Sequence, residues 1–316
     1  MPSVILSGSD DALGTRVRAR LEQSGHTVVV VDDGERAADL KARVEGASTA
    51  VHLAGGLDET RAVLDAAASV GVRRVVLLSS ATVYGAWPAN PVPITEDATV
   101  RPNPELDFAV RAAERERLAA EWKLDHPGSA VVVLRPAVPV AEHAHGWLAQ
   151  GLLAAATIRV DGVDDPPVQY VHLDDLADAV VLAATSPVDG PLNVAPDGWI
   201  TGEQLRALAG GPRVRLPEKA VRRLVRLRAK LGPSAAHPGL TPYTTHSWVV
   251  ANDRLRAAGW APAWSNEEAF VAGHEPAPWA TISPQRRQEL ALGALVVGVG
   301  AGAAGTVALV RRRLRR

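Results

Sequence analysis

The stretch that decides the fold is residues 1–32, MPSVILSGSDDALGTRVRARLEQSGHTVVVVD. Its first apolar run, Val4 to Leu6, predicts a short buried strand. A turn bracketed by glycines, a segment with helical spacing of apolar residues and a second apolar run follow, and Asp32 comes directly after that run. This order is typical of a dinucleotide-binding βαβ unit, so we expect an α/β fold.

Two glycines, Gly8 and Gly14, bracket the turn. Glycine lets the backbone turn tightly and approach a pyrophosphate, and the helix that follows offers free N–H groups and a partial positive charge. The middle position of this G-x-x-G-x-x-G spacing is Asp11, whose carboxylate would lie close to the phosphates. Taken alone, the two glycines are also compatible with an ordinary strand-to-helix turn.

The acid after the second strand indicates which cofactor fits. The carboxylate of Asp32 can accept hydrogen bonds from a ribose 2′-hydroxyl, and it would repel a 2′-phosphate. We therefore expect NAD rather than NADP.

Composition excludes several classes of protein. The 316 residues are 47% hydrophobic with a formal net charge of −1, which excludes a disordered chain and a nucleic-acid binder. Cysteine is absent, which excludes disulfides, thiolate catalysis and cysteine metal sites, and we expect no metal. The first residues run straight into a strand with no signal peptide, so we expect the folded part to be cytoplasmic.

The far end of the chain has a different character. Residues 290–310 carry no charge and are followed by the basic tail 311–316. As a helix the run is roughly 30 Å long, so we predict a transmembrane anchor, with a docked Gly/Ala-rich tail as the alternative. Gly298 and Gly302 would let two such helices pack, which predicts a homodimer. The arginines favour a cytoplasmic C-terminus, which conflicts with a cytoplasmic domain and leaves the orientation open.

A second segment also concerns membranes. Residues 218–231 read as an amphipathic and very basic helix. It could lie on an anionic membrane surface, or it could be a solvated helix over the cleft.

Apolar runs and helical spacings alternate through the rest of the chain. The predicted elements are strands at 50–54, 73–85 and 130–140 and helices at 35–45, 58–70 and 105–124. These repeats indicate a doubly wound parallel sheet. We expect a Rossmann-like domain over 1–165, with 167–196 returning to the sheet, and a smaller substrate or lid region over 197–280. The short stretch between Asp32 and Ala50 indicates that the usual third strand is missing.

Several blocks together resemble the NAD-dependent epimerase/dehydratase family of the extended short-chain dehydrogenase/reductase superfamily. They are ILSGSDDALG, VHLAGG, VVLLSSATVYG, LRPAVPV, VQYVHLDDLADAVVLA, LNVAP and NDRLRAAGWAP, within residues 3–270. The resemblance implies NAD in a cleft above a Rossmann-like sheet. It implies cofactor contacts from Gly8, Asp11, Leu13, Gly14, Asp32, Leu53, Ala54, Gly55, Ser79 and Pro136.

The resemblance also implies catalysis by a Ser and by a Tyr four residues before a Lys. Ser80 matches the serine. The tyrosine and lysine positions hold Phe108 and Ala112, with Glu116 at the family's glutamate. Phenylalanine cannot transfer a proton, and alanine cannot hold a ribose or a charge. No Tyr-x-x-x-Lys occurs elsewhere, because Pro88, Asp174 and Ser247 stand four residues after the three tyrosines.

Two hypotheses follow. One is an atypical or inactive oxidoreductase on a sugar-nucleotide or lipid-like substrate, which would need a replacement acid/base such as His52 or His172. The other is a membrane-tethered, non-catalytic NAD(H) sensor or scaffold. No G-x-S-x-G elbow supports a serine hydrolase, and the sequence names no substrate.

Overall fold

The computed structural model describes most of the chain up to His274. The described residues are 3–31, 46–142, 146–156, 158–160, 165–209, 214–216, 219, 223 and 238–274. The chain divides into two units, residues 1–208 with 212–274 and residues 209–211 with 275–316. The helices and strands below lie in the first unit, apart from Ala209, the last residue of one helix.

The strands follow one another with helices between them. They are β1 (Ser3–Ser7), β2 (Thr27–Val31), β3 (Ala47–His52), β4 (Arg74–Leu78), β5 (Ala130–Pro136), β6 (Val138–Val140), β7 (Ile158–Val160), β8 (Tyr170–His172), β9 (Gly190–Val194) and β10 (Val214–Leu216). The α-helices are α1 (Ala12–Gln23), α2 (Leu57–Ser69), α3 (Asp107–Asp125), α4 (Trp147–Ala156), α5 (Leu173–Thr185), α6 (Gly202–Ala209), α7 (Asp253–Ala257) and α8 (Asn266–Ala272). Short 3₁₀ turns lie at Ala81–Tyr84, Pro238–Leu240 and Pro242–Thr244.

A six-stranded parallel sheet in the order β2-β1-β3-β4-β5-β9 forms the centre. Parallel strands need crossover connections, and the helices on both faces explain why the strands are nearly continuous apolar runs. Two further pairs, β6 with β8 and β7 with β10, are also parallel. The predicted α/β class with a Rossmann-like parallel sheet is confirmed.

Each face of the sheet has its own core, because alternate residues of a strand point to opposite faces. On one face, Val4 and Leu6 of β1 belong to the cluster that buries α1 and α5. On the other face, Ile5 belongs to the cluster with apolar residues of α2 and α3, including Trp122. These four helices therefore cover the two faces of the sheet.

Some predicted elements differ in detail from the observed ones. The run 130–140 is divided into β5 and β6, which belong to different sheets. Of the predicted return over 167–196, β9 joins the central sheet, whereas β8 pairs with β6. In the described sheet β2 and β9 are the two edge strands, and residues 32–45, where a further strand or helix would fall, lie outside the described residues.

The predicted membrane segments also fall outside the described residues. This applies to the apolar run 290–310 and the tail 311–316, and to 218–231 apart from Lys219 and Arg223. Among the helices that the structure does describe, none has the length and apolar character required to span a bilayer.

Candidate functional site

The glycine turn between β1 and α1 has no room for side chains at its two glycines. Gly8 has a φ of +66°, and a Cβ built on it would lie 2.5 Å from the backbone nitrogen of Ala54. A Cβ on Gly14 would collide with the backbone of Ser9. The turn and the residues that follow β3 are thus in backbone contact, and Ala54 and Gly55 are exposed.

Asp11 is the N-cap of α1. Its carboxylate accepts a hydrogen bond of 2.8 Å from the backbone N–H of Gly14. An N-cap side chain satisfies one of the free N–H groups at a helix start. The same groups would otherwise face a phosphate, so Asp11 both stabilises the helix and adds a negative charge at the turn.

A buried histidine lies beneath the end of β3. His52 is 2% exposed; its Nδ1 lies 2.8 Å from the Ser7 hydroxyl and its Nε2 lies 3.1 Å from the Thr60 hydroxyl. Burial, assisted by the positive charge of Arg115, lowers the pKa of His52 to about 4. With both nitrogens engaged and the ring neutral, His52 holds β3 against β1 and α2 and is poorly suited to act as an acid.

The resemblance assigns the family's catalytic positions to Ser80, before the 3₁₀ turn, and to Phe108 and Ala112 on α3. Ser80 caps the 3₁₀ turn, and its hydroxyl oxygen accepts hydrogen bonds from the backbone N–H and the hydroxyl of Thr82. Phe108 is half-buried and packs edge-on against Trp147, with ring centroids 5.1 Å apart. Ala112 is fully buried. Neither Phe108 nor Ala112 offers a proton or a charge.

A buried polar network holds residues 79–84, here called the serine loop, on the sheet. Arg135 of β5 binds Glu116 of α3 through Nε and Nη2, with a shortest distance of 2.6 Å, and Ser79 donates to Glu116 at 2.5 Å. Arg135 also donates to the Tyr84 hydroxyl, which donates in turn to Asn193. Burial raises the pKa of Tyr84. This tyrosine therefore serves as a structural hydrogen-bonding residue and not as a catalytic proton donor.

The second candidate histidine caps a helix. His172 is 1% exposed, accepts a hydrogen bond through Nδ1 from the backbone N–H of Asp174, and stacks on Trp264. The N-cap of α5 is therefore His172. The Asp174 carboxylate instead pairs with Arg16 and Arg20 of α1.

The predicted cofactor contacts are distributed between the cleft and the core. Gly8 lies against the backbone of Ala54, and Gly55 lies against His52, whereas the side chains of Leu13 and Leu53 are buried in the core. Among the other predicted contacts, Ser79 is in the polar network, Pro136 pairs with Val194 at the end of β5, and Asp32 lies outside the described residues.

Sequence reasoning missed Arg135 and the buried Arg115. A charged residue inside the apolar strand 130–136 was a signal, because a buried guanidinium needs a partner. The described residues hold no group of three or more His, Asp or Glu side chains that could bind a metal.

Comparison with known proteins supports the same family. Residues 56–195 match the model of the NAD dependent epimerase/dehydratase family. An uncharacterized protein of Mycobacterium tuberculosis is 31% identical over 209 residues, which are 63% of this chain and 53% of that protein. One of Sinorhizobium fredii is 25% identical over 226 residues, 67% of this chain and 55% of that protein. The chain thus spans about half the length of these relatives.

Solved structures agree on the fold. The UDP-glucose 4-epimerase of Thermus thermophilus, in complex with NAD, superposes with a TM-score of 0.62 at 18% identity, covering 86% of this chain and 97% of that one. A short-chain dehydrogenase/reductase superfamily protein of Agrobacterium tumefaciens, with bound NAD, gives 0.61 at 19% identity, covering 92% and 99%. These structures show the same fold, and the match of residues 56–195 agrees with the family that the sequence resembles.

Proposed function

Because its residues 56–195 match the NAD dependent epimerase/dehydratase family, we propose that this chain binds NAD and does not carry out the family's Tyr/Lys-dependent reaction. The observation that carries the proposal is the pairing of a well-formed glycine turn with Phe108 and Ala112 at the two reactive positions.

The turn supports the cofactor half of the proposal. The start of α1 supplies N–H groups and a partial positive charge for a pyrophosphate, and Gly8 and Gly14 place no side chain between the turn and that ligand. Ala54 and Gly55 would lie beneath the ribose, and Asp32 after β2 favours NAD because its carboxylate would repel a 2′-phosphate. Asp11 opposes binding, and we expect it to weaken affinity without abolishing it.

The helix α3 supports the catalytic half. Nicotinamide supplies a hydride acceptor or donor, and the substrate oxygen must lose or gain a proton in the same reaction. Phe108 has no exchangeable proton, and Ala112 has no charge to lower a neighbour's pKa. Ser80 can still orient a substrate hydroxyl group. We therefore expect the chain to bind a ligand even though it does not catalyse the reaction.

Fluorescence titration of the full-length chain with NADH tests the cofactor. We expect saturable binding, with NADPH weaker by about tenfold or more, a difference of about 1.4 kcal/mol. Asp11→Gly is expected to bind NADH several-fold more tightly, because the variant removes a carboxylate from the phosphate site and loses only a few tenths of a kcal/mol of capping. Absence of binding at millimolar NADH would contradict the proposal and leave a scaffold role.

Turnover assays test the chemistry separately. The unaltered chain is expected to be inactive with NAD and UDP-sugars, the substrate class named for the solved neighbours. The variant Phe108→Tyr/Ala112→Lys introduces the two reactive side chains, and we expect activity to appear in this variant. Turnover by the unaltered chain would show that another group moves the proton.

The rest of the sequence favours a protein that is tethered to a membrane and acts as a non-catalytic NAD(H) sensor or scaffold. It is supported by the uncharged run 290–310 and the basic segment 218–231. The folded part is proposed to be cytoplasmic, and the G-x-x-x-G pair at Gly298 and Gly302 supports a homodimer. Cell fractionation tests the tether, since recovery of the full chain in salt-washed cytosol would refute it.

A further inference from the structure

Two aromatic side chains meet where α3 and α4 begin. Phe108 is the second residue of α3, and Trp147 is the first residue of α4. Their ring centroids are 5.1 Å apart, and the planes of the two rings are inclined by 76°. Because α3 connects β4 to the parallel strand β5, it begins at the carboxyl ends of the strands, where open α/β sheets bind their ligands.

Close packing around two glycines holds these helix starts together. A Cβ added to Gly151 of α4 would lie 2.5 Å from Cδ1 of Leu240. A Cβ added to Gly239, in the same 3₁₀ turn as Leu240, would lie 2.3 Å from the carbonyl oxygen of Glu105, just before α3. This turn therefore packs against α4 and against the start of α3. The protein's own packing positions the two rings, which lowers the ordering cost of binding a ligand there.

Trp147 differs from four other tryptophans of this chain in its hydrogen bonding. The indole N–H groups of those four each donate to a backbone carbonyl oxygen; they are Trp87, Trp122, Trp248 and Trp260. Trp147 is 48% exposed, and its N–H makes no such bond within the described residues. An indole in this state can offer both its ring and its one donor to a ligand.

The geometry of the pair selects a flat and neutral ligand. Aromatic rings prefer offset-stacked or edge-to-face contacts. Since the two planes are nearly perpendicular, a third ring that stacks on one of them meets the other at a right angle, and both contacts are favourable. A puckered aliphatic ring makes apolar contacts only. Charges of both signs, Asp107 and Arg111, are exposed on α3 beside Phe108, so neither sign of ligand charge is favoured.

We propose that Phe108 and Trp147 bind the neutral aromatic ring of a ligand other than NAD, with the Trp147 N–H donating to an oxygen substituent of that ring. In this chain Phe108 then contributes a binding surface at the position that the resemblance assigns to a reactive tyrosine. The proposal deepens the function proposed above by naming the class of the second ligand. It rests on that function only in that the ligand is bound without turnover.

Ligand-observed NMR titration of the full-length chain, without cofactor, tests the site with two ketones. Acetophenone and cyclohexyl methyl ketone share the acetyl oxygen and differ in the ring, so we expect acetophenone to bind more tightly by about fivefold. Trp147→Leu is expected to remove this difference, whereas Trp147→Phe keeps a ring and should retain part of it. The control Trp199→Leu changes another exposed tryptophan, between β9 and α6, and is expected to leave both affinities unchanged.

Equal affinities of the two ketones for the unaltered chain would overturn the proposal, as would an acetophenone affinity that Trp147→Leu leaves unchanged or that Trp199→Leu lowers equally. If Trp147→Leu does not fold, Phe108→Leu replaces it with the same expectation. The titration is then repeated at millimolar NADH, where we expect the acetophenone affinity to persist. Competition would assign the two rings to the nicotinamide and overturn the second site. If NADH itself does not bind, the cofactor proposal fails, and the comparison of the ketones still decides this one.

Discussion

The buried pair Glu116–Arg135 offers the sharpest test of how the sheet holds the serine loop. Both side chains are less than 10% exposed, the carboxylate accepts from Nε and Nη2 of the guanidinium, and Ser79 donates to the same carboxylate. Glu116→Ala would leave Arg135 charged and buried, with the Tyr84 oxygen as its one remaining acceptor among the described residues.

The magnitude follows from the loss of one partner only. Breaking a buried ion pair from one side typically costs about 3–5 kcal/mol, because the remaining charge is left without compensation. Loss of the Ser79 contact to a charged acceptor adds roughly 1–2 kcal/mol. We therefore expect Glu116→Ala to lower the free energy of unfolding by about 4 kcal/mol or more.

Urea unfolding followed by tryptophan fluorescence measures this change, with Glu121→Ala as the matched control. Glu121 is a glutamate of the same helix whose pair with Arg117 is more than half exposed on both sides, so its loss is expected to cost less than about 1 kcal/mol. Glu116→Ala/Arg135→Met should recover part of the loss, because no buried charge remains unpaired. A Glu116→Ala chain within about 1 kcal/mol of the Glu121→Ala control would refute the argument.

Two other features give predictions of the same kind. Gly8 and Gly25 both have positive φ, +66° and +81°, but an added Cβ meets Ala54 at Gly8 and open space at Gly25. In the same urea assay, Gly25→Ala is expected to lower the free energy of unfolding by about 1–2 kcal/mol, and Gly8→Ala by clearly more. Equal losses in the two variants would show that the close approach of Gly8 to Ala54 does not affect stability. His52 has a folded pKa of about 4 against 6.5, so only the unfolded chain takes up this proton between those pH values; stability should fall by roughly 3 kcal/mol as pH drops from 6.5 to 4. His52→Gln should flatten that part of the stability profile, and a profile unchanged by the substitution would remove His52 as the cause.

The fold could be predicted from the sequence because its signals are local. Apolar runs such as 130–136 and the glycines that follow helices, such as Gly25, are imposed by burial and by backbone conformation, and both can be recognised in a short window. The division of 130–140 into two sheets could not, since it depends on which distant strand, β8 or β9, pairs with each half.

The sequence predicts residues of the candidate site only where a motif fixes their position. Phe108 and Ala112, at the positions that the resemblance assigns to the tyrosine and the lysine, can be read directly from the sequence. The burial of Arg115 is not visible there, because a basic residue on a charged helix gives no sign of whether it faces water or a neighbouring helix. The capping of α5 by the ring nitrogen of His172 is likewise not visible in the sequence.

The residues of the glycine turn are explained by two separate effects, packing at the glycines and helix capping at Asp11. The backbone of this chain already excludes side chains at Gly8 and Gly14, through Ala54 and Ser9, so packing alone would retain both glycines with or without a cofactor. Asp11 is different, because its carboxylate occupies the Gly14 N–H, a group that a phosphate would also use. The capping bond and the cofactor therefore compete for one donor, and the affinity gained in Asp11→Gly measures how far the turn has shifted from binding a ligand to stabilising a helix.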